Sequence, residues 1–296
     1  MSQYVIGVDV GGTNIRVGVV DSDLNVIKKT SIKTATITTF NEFVTALKTM
    51  IKEVDSGGLA HKIGIVLPTP WVNEMEVFRD ATNVPFLEGV KVVQLREKFL
   101  EHDLYFENDV NVVALLEANI ATRKDVKSLM YITVSTGIGS GIVIDGKVWQ
   151  GAHGYAGEVG NMIVSCASSQ ATAILEDLCS GAALDAIAKQ LYGQGATAET
   201  LLAAYKENES TAMQTMKAWF STFSDALASV VHVVNPELIV FGGSVITNNE
   251  CLLAELTGQT RVKLFENLRP HLRIELTHFS SDSGILGGAQ LCISEI

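Results

Sequence analysis

The segment Asp9-Val10-Gly11-Gly12-Thr13-Asn14-Ile15-Arg16 sets a carboxylate, two glycines, a hydroxyl, an amide and a guanidinium side by side. Glycines let a backbone take positive φ and let a ligand come close. With Thr13 they present a row of N–H groups and a hydroxyl suited to phosphate oxygens. Asp9 ends an apolar run, where a carboxylate could hold a hydrated Mg²⁺. The same residues would also make a plain hairpin bend. The pattern is neither Gly-x-Gly-x-x-Gly nor a loop ending in Gly-Lys-Ser/Thr, and a strand rather than a helix follows it.

A second unit of this kind lies at Thr136-Gly137-Ile138-Gly139-Ser140-Gly141. Two such turns, each between strands of a separate α/β half, suggest one nucleotide clamped between the halves. Between them stands Glu107-Asn108-Asp109-Val110-Asn111. An asparagine can donate to and accept from sugar hydroxyls at once. An aspartate beside it can take the proton of an attacking hydroxyl. The alternative is a helix cap, with Asn108 or Asp109 capping the next helix and doing no chemistry. The glycine-rich span Gly151 to Asn161 is a loop carrying Glu158 and Asn161 as polar heads. His153 in that loop has no second histidine or acidic cluster at ligand spacing. Asn83, in Asn83-Val84-Pro85, either offers an amide to a cleft or forms a turn. Glu176 is either a ligand or a plain surface charge. Gly242-Gly243-Ser244, after a buried strand, suits close approach of a base or ribose.

These residues need elements to hold them. Residues 3 to 31 read as three strands, and Phe40, Phe43, Leu47 and Ile51 mark a helix from Thr39 to Val54. Lys62 to Leu67 is a buried strand, stopped by Pro68-Thr69-Pro70. A short strand is expected at Met75 to Phe78 and a helix over 88–100. Asp103 to Phe106 reads as a strand ending at the Asn108-Asp109 pair, and Val112 to Thr122 as a helix. Ligands of α/β sheets bind outside the carboxyl ends of strands, which makes that pair a site position. The polar Arg123-Lys124-Asp125 marks a crossing into a second domain. There Ser128 to Val134 and Ile142 to Ile144 flank the second glycine turn. Helices are expected over 171–190, 196–205, 211–234 and 252–268, with strands at Leu238 to Phe241 and Leu272 to Leu276. A last helix begins near Ser283. The division expected is 1–122 for the first domain, with the terminal helix 283–296 packing back onto it, and 123–282 for the larger second one.

Composition narrows the class. The chain has 296 residues and a formal net charge of −11, which argues against a nucleic-acid partner. No uninterrupted apolar run of about 20 residues suggests a membrane span. No basic, then apolar, leader pattern opens the sequence, and a cytoplasmic protein is expected. Cys166, Cys179, Cys251 and Cys292 form no Cys-x-x-Cys pair, so neither a disulfide framework nor a four-ligand zinc site is expected.

In their order, these motifs resemble the ROK family of bacterial sugar kinases and related repressors, within the actin-like ATPase superfamily. The resemblance runs from about Val5 to Ala289. Asp9 to Arg16 is similar to the family's first phosphate motif, and Thr136 to Gly141 to its second. Glu107 to Asn111 is similar to the segment holding the catalytic base, Gly154 to Gly160 to the signature sugar loop, and Phe241-Gly242-Gly243 to the adenosine motif. The resemblance implies a two-domain actin-like ATPase (ribonuclease H-like) α/β fold with its active site in the interdomain cleft. It implies ATP and Mg²⁺, with Asp9, Gly11, Gly12, Thr13, Asn14, Arg16, Thr136, Gly137, Gly139, Gly242 and Gly243 serving the nucleotide. Asp109 is then the general base, and Asn108, Glu158 and Glu176 hold sugar hydroxyls, with Asn83 and Asn161 as further contacts. The implied reaction is phosphoryl transfer to a hexose hydroxyl, at C6 by likeness to glucokinases. N-acetylmannosamine kinase, fructokinase, β-glucoside kinase and a non-catalytic sugar sensor are the alternatives. A homodimer is expected because relatives commonly form one. Three departures stand out, the first being Pro68-Thr69-Pro70, which lacks the family's usual glycine after Pro68. Asn161 occupies the place of the family's zinc-binding and sugar-binding histidine, and Cys166 to Ala173 holds one cysteine where relatives carry a cysteine cluster. No structural zinc is therefore expected.

Overall fold

β-branched residues on both sides of Gly11-Gly12 form a hairpin, and the computed structural model describes what is built on it over residues 4–120, 123, 125–165, 171–279 and 282–294. In chain order the first elements are β1 (Tyr4–Val10), β2 (Asn14–Asp21), β3 (Val26–Lys33), α1 (Phe40–Val54), β4 (Lys62–Leu67), α2 (Val92–Arg96), β5 (Asp103–Asn108) and α3 (Asp109–Asn119). There follow β6 (Ser128–Val134), β7 (Ile138–Ile144), β8 (Lys147–Val148), β9 (Ile163–Ser165), β10 (Thr172–Ile174), α4 (Leu175–Cys179), α5 (Gly181–Tyr192), α6 (Ala198–Lys206) and α7 (Ser210–Val234). The last are β11 (Leu238–Gly242), α8 (Ser244–Thr247), α9 (Cys251–Lys263), β12 (Ile274–Leu276) and α10 (Ser283–Ser294). Among the described residues no helix is long and apolar enough to cross a membrane.

The chain divides into two compact units. The first gathers Met1–Lys124, Ile142–Ala156 and His278–Ile296, and the second Asp125–Gly141 and Gly157–Thr277. The division falls inside β7.

In the first unit the sheet runs β3-β2-β1-β4-β5. β2 pairs antiparallel with β1 and β3, while β4 lies parallel to β1 and β5 parallel to β4. The parallel strands all point their carboxyl ends the same way, which brings Asp9 and Asn108 to one edge of the sheet. α1 starts at a capping box made by Thr39 and Glu42 and buries Phe43, Leu47, Met50 and Ile51 in the core. α10 packs on β1, β4 and α3 with Ile285, Ala289 and Cys292 fully buried. The approach is so close that a Cβ on Gly64 would stand 1.8 Å from the Gly288 carbonyl oxygen. Arg123, expected in a polar crossing, is instead buried and ion-paired with the buried Glu117. Burying a charge is costly unless it is paired, so each of the two requires the other.

In the second unit β11 lies parallel to β6 and β12. α7 lays Met216, Trp219, Phe220, Phe223 and Leu227 into the core. Here the local pattern misled in one place. The helix expected over 171–190 begins as strand β10, paired with β9; the irregularity expected at Ser180-Gly181 is present, with Ser180 capping α5 through the Ala183 N–H. Smaller differences follow the same logic of tertiary contact over propensity. The strand expected at Met75 to Phe78 is a single bridge between Val77 and Lys91, and the helix over 88–100 shrinks to α2. The helix over 252–268 ends at Lys263, followed by a 3-10 turn at Glu266–His271. Of Cys166 to Ala173, the span of the missing cysteine cluster, Cys166 to Gln170 lies outside the described residues.

Candidate active site

In the first unit, the hairpin turn closes when the Gly11 N–H donates to the Asn14 carbonyl at 3.0 Å. β3 runs into Thr34, whose hydroxyl donates to the Gly11 carbonyl at 2.6 Å and whose N–H donates to the Thr13 carbonyl at 3.0 Å. The turn carbonyls are thus tied inward. Neither Gly11 nor Gly12 takes the left-handed conformation expected for them. What Gly12 supplies is room, since a Cβ there would lie 3.3 Å from the Asn83 Cβ. Asn83 itself is exposed beside this turn. Asp9 faces Arg16 across the hairpin, carboxylate to guanidinium at 3.5 Å. Burial pushes the Asp9 carboxyl above the usual carboxylate range, against the pull of Arg16. One such carboxylate fits a Mg²⁺ ion held mainly by phosphate and water. Among the described residues no three His, Cys, Asp or Glu side chains group to hold a metal.

Asn108 ends β5 and caps α3. Its Oδ1 accepts from the N–H groups of Val110 at 2.9 Å and Asn111 at 3.2 Å, and its Nδ2 donates to the Thr69 carbonyl at 3.1 Å. Asp109 is the first residue of α3 and half-buried, with one oxygen accepting from the Val110 N–H at 3.0 Å. The cap and the candidate base are therefore neighbours and not rivals. Beneath them lies Glu107, 3% exposed. Its Oε1 accepts from the Asn108 N–H at 2.8 Å and from Asn111 Nδ2 at 3.0 Å, and its Oε2 from Gln150 Nε2 at 2.5 Å. Burial raises its pKa despite those three donors. Sequence reasoning gave Glu107 no role, though it adjoins Asn108. Gln150 carried no signal.

In the second unit the turn is held from behind by a helix. The Ser135 N–H donates to the Gly137 carbonyl at 2.9 Å, and the carbonyls of Ser135 and Thr136 accept from the Gly181 and Ala182 N–H groups at the start of α5, at 2.7 and 3.1 Å. Glu176, on α4, accepts the Ile138 N–H at 2.6 Å. A Cβ on Gly137 would stand 2.5 Å from Glu176 Oε2, so the glycine makes space for the carboxylate. Gly139 lies within β7 and not in the turn. Asn161 Nδ2 donates to Glu158 Oε2 at 3.3 Å. The Glu158 carboxyl is exposed in part, yet desolvation and the nearby Glu176 raise its pKa against the pull of Asn161. Glu158, Asn161 and Glu176 thus form one polar cluster beside the second turn.

A cavity of about 560 Å³ opens beside that turn, lined by Ser135, Thr136, Asp185, Lys206, Ser244 and Asn248 among others. Its size suits a nucleoside. Gly242 and Gly243 lie just before its wall and are held by packing: a Cβ would meet the Tyr131 hydroxyl from Gly242 and the Val134 backbone from Gly243. Asp185, Lys206 and Asn248 were missed because they come from α5, α6 and the end of α8, which no local motif joins.

A family model described as the ROK family matches residues 5–295. The chain belongs to the ROK family. Among the relatives of this ROK chain, the N-acetylgalactosamine kinase AgaK of Shewanella sp. is 28% identical, covering 96% of this chain and 95% of that one. The glucokinase of Thermotoga maritima is 26% identical, covering 97% and 96%. The solved ROK hexokinase of Thermus thermophilus superposes with a TM-score of 0.82 at 26% identity, covering 97% of each chain. The two mixed sheets with their helices are the actin-like ATPase α/β architecture of the ROK family, as expected from the motifs.

Proposed function

We propose that this protein is an ATP-dependent sugar kinase that moves the γ-phosphoryl group of ATP to a hexose hydroxyl, the primary hydroxyl at C6. The observation that carries the reading is Asp109 on the first turn of α3, at the carboxyl end of a parallel strand and beside the capping amide of Asn108. On this reading Asp109 accepts the proton of the attacking hydroxyl. Such help is worth about 10²–10⁴ in rate. Asn83 and Asn108 in the first unit, and Glu158, Asn161 and Glu176 in the second, hold sugar hydroxyls. The Asn108 oxygen is committed to the helix cap, which leaves the second hydrogen of its Nδ2 for the sugar. The turn residues Gly11, Gly12, Thr13 and Asn14, with Arg16, and the second turn at Thr136 and Gly137 receive phosphate oxygens. Gly139, Gly242 and Gly243 shape the nucleotide side. Bound Mg²⁺, with Asp9 as its protein carboxylate, would offset charge on the transferring group. An ATP-consuming reaction suits the cytoplasm.

The relatives' printed names favour glucose and N-acetylhexosamines as substrates. Asn161, set by the resemblance at the place of the family histidine, keeps a donor and an acceptor for a sugar hydroxyl and lends its Nδ2 to Glu158.

The test is ADP release from Mg²⁺-ATP with glucose, mannose, fructose, N-acetylglucosamine, N-acetylgalactosamine and N-acetylmannosamine. Turnover on one or two of these is expected. Chelation followed by Mg²⁺ alone should restore it fully. Sugar binding by calorimetry without any turnover would instead make the protein a sugar sensor.

A further inference from the structure

The cavity of about 560 Å³ in the second unit holds two carboxylates, Asp185 and Glu199, that the kinase reading leaves without a task. They differ in how they are held. Glu199 is exposed on the first turn of α6. Asp185 is half-buried on α5, and its Oδ1 accepts the N–H of Ala198, the first residue of α6, at 2.6 Å. That bond fixes the direction of the side chain. Among the described residues Oδ2 has no hydrogen-bond partner.

The place of Asp185 along the groove is set by its helix. α5 begins against the second glycine turn, with the Gly181 and Ala182 N–H groups on the carbonyls of Ser135 and Thr136. The approach needs a glycine, since a Cβ at Gly181 would run into the Ser135 carbonyl. Asp185 comes one helical turn later, about 6 Å further along the axis. The ribose hydroxyls of a nucleotide lie a similar step from its inner phosphates. Beyond Asp185 the wall passes to α6, where Leu202 and Ala203 line the cavity with apolar surface for a base. The chemistry agrees with the spacing. An ionised carboxylate only accepts hydrogen bonds, so it repels phosphate oxygens and suits a neutral donor such as a hydroxyl.

We propose that Asp185 reads the ribose of the nucleotide, its Oδ2 accepting a ribose hydroxyl, so that this cavity selects ribonucleotides over deoxyribonucleotides. The inference rests on the kinase reading, which puts a nucleotide in the cavity. Because the Ala198 N–H already holds the carboxylate in place, little side-chain freedom is lost when the hydroxyl arrives. A nucleotide without that hydroxyl leaves a half-buried charged acceptor unmatched.

Calorimetry on the full chain with the Mg²⁺ complexes of ADP, 2′-deoxy-ADP and 3′-deoxy-ADP tests this. In the parent, Kd for at least one of the deoxy nucleotides should stand about 10-fold above that for ADP, as expected for a hydroxyl bonded to a charged group. In Asp185→Ala the preference should shrink to within about twofold, whatever happens to the affinity for ADP itself. A role confined to holding α6 would weaken all three nucleotides alike and leave the preference where it was. Equal binding of the three by the parent, or the parent's preference retained in Asp185→Ala, overturns the inference and leaves the kinase reading standing. Glu199→Ala should keep the parent's preference, and its loss there instead also overturns the inference. Should Asp185→Ala fail to fold, Asp185→Asn decides, because it keeps an acceptor for the Ala198 N–H. With the charge gone the preference should fall to about threefold or less, and a preference equal to the parent's overturns the inference. A parent that binds no ADP and phosphorylates no sugar overturns the kinase reading, and the inference with it.

Discussion

At the first glycine turn the brace is one residue just past the end of β3, Thr34, which grips the carbonyls of Gly11 and Thr13. At the second it is a pair of helices: α5 takes the carbonyls of Ser135 and Thr136, and α4 sends Glu176 to the Ile138 N–H. The first turn therefore keeps its binding residues separate from its scaffold, with Asn83 merely beside it. The second spends a proposed sugar ligand, Glu176, on holding the turn itself. Chemistry and structure are separable at the first turn and shared at the second.

The strongest way to break this comparison is to remove one carboxylate from each. Asp109→Asn should lower kcat by about 10²–10⁴-fold while leaving sugar affinity near the parent value, as read by calorimetry beside the kinetics. Glu176→Ala should weaken sugar binding and lower the melting temperature together, because the Ile138 N–H loses its acceptor, at a cost of about 1–3 kcal/mol. Equal loss of affinity and stability in both variants would erase the distinction. Next in size is a methyl group on each turn. Gly137→Ala drives a Cβ into the end of the Glu176 side chain, which must give up the Ile138 N–H, and should raise the KM for sugar with a loss of stability no larger than that of Glu176→Ala by denaturant titration. Gly12→Ala meets only the Asn83 Cβ at 3.3 Å and should be nearly neutral in stability.

The smallest effects are those of pH, and they set two glutamates of the second unit against each other. Desolvation raises Glu158, so it protonates at a higher pH than an ordinary glutamate, and sugar affinity should decline earlier in mild acid than an unshifted carboxylate would allow. Its effect on stability has the opposite sense. Because the folded form binds this proton more tightly than the unfolded one, stability from this group rises as pH falls through its folded value. Glu158→Gln should remove both trends. Glu209, the cap at the start of α7, accepts the Thr211 and Ala212 N–H groups and is pulled down to about 2. Its contribution is complete above the ordinary value of 4.5 and is lost as pH falls toward about 2. Melting temperatures of Glu209→Gln and the parent should therefore converge in strong acid.

The hairpins, α1, α7 and the order of motifs were legible because each is encoded locally: glycine between β-branched runs, or an apolar stripe at helical spacing. Asn108 and Asp109 could be read as cap or as chemistry, and the structure makes Asn108 the cap while leaving Asp109 on the adjoining turn. What stayed hidden depends on residues distant in sequence. The strand at Thr172–Ile174 exists because Ile163–Ser165 pairs with it, and nothing in its own residues says so. The Glu107–Gln150 bond spans two separate segments, and the buried Arg123 looks like a linker charge until Glu117 is placed against it.

The seat of α10 on β1 has a consequence for how the molecule comes into being. Residues 283–294 supply a wall for strand 4–10, with no Cβ to spare between Gly7 and the Ile285 carbonyl. A ribosome adding about 5–20 residues per second would leave that strand without its cover for on the order of 15–60 seconds. During that interval α1 can shield only one side of the sheet. The first unit, though begun first, is therefore completed last, and a chaperone that holds the nascent sheet would have its substrate here.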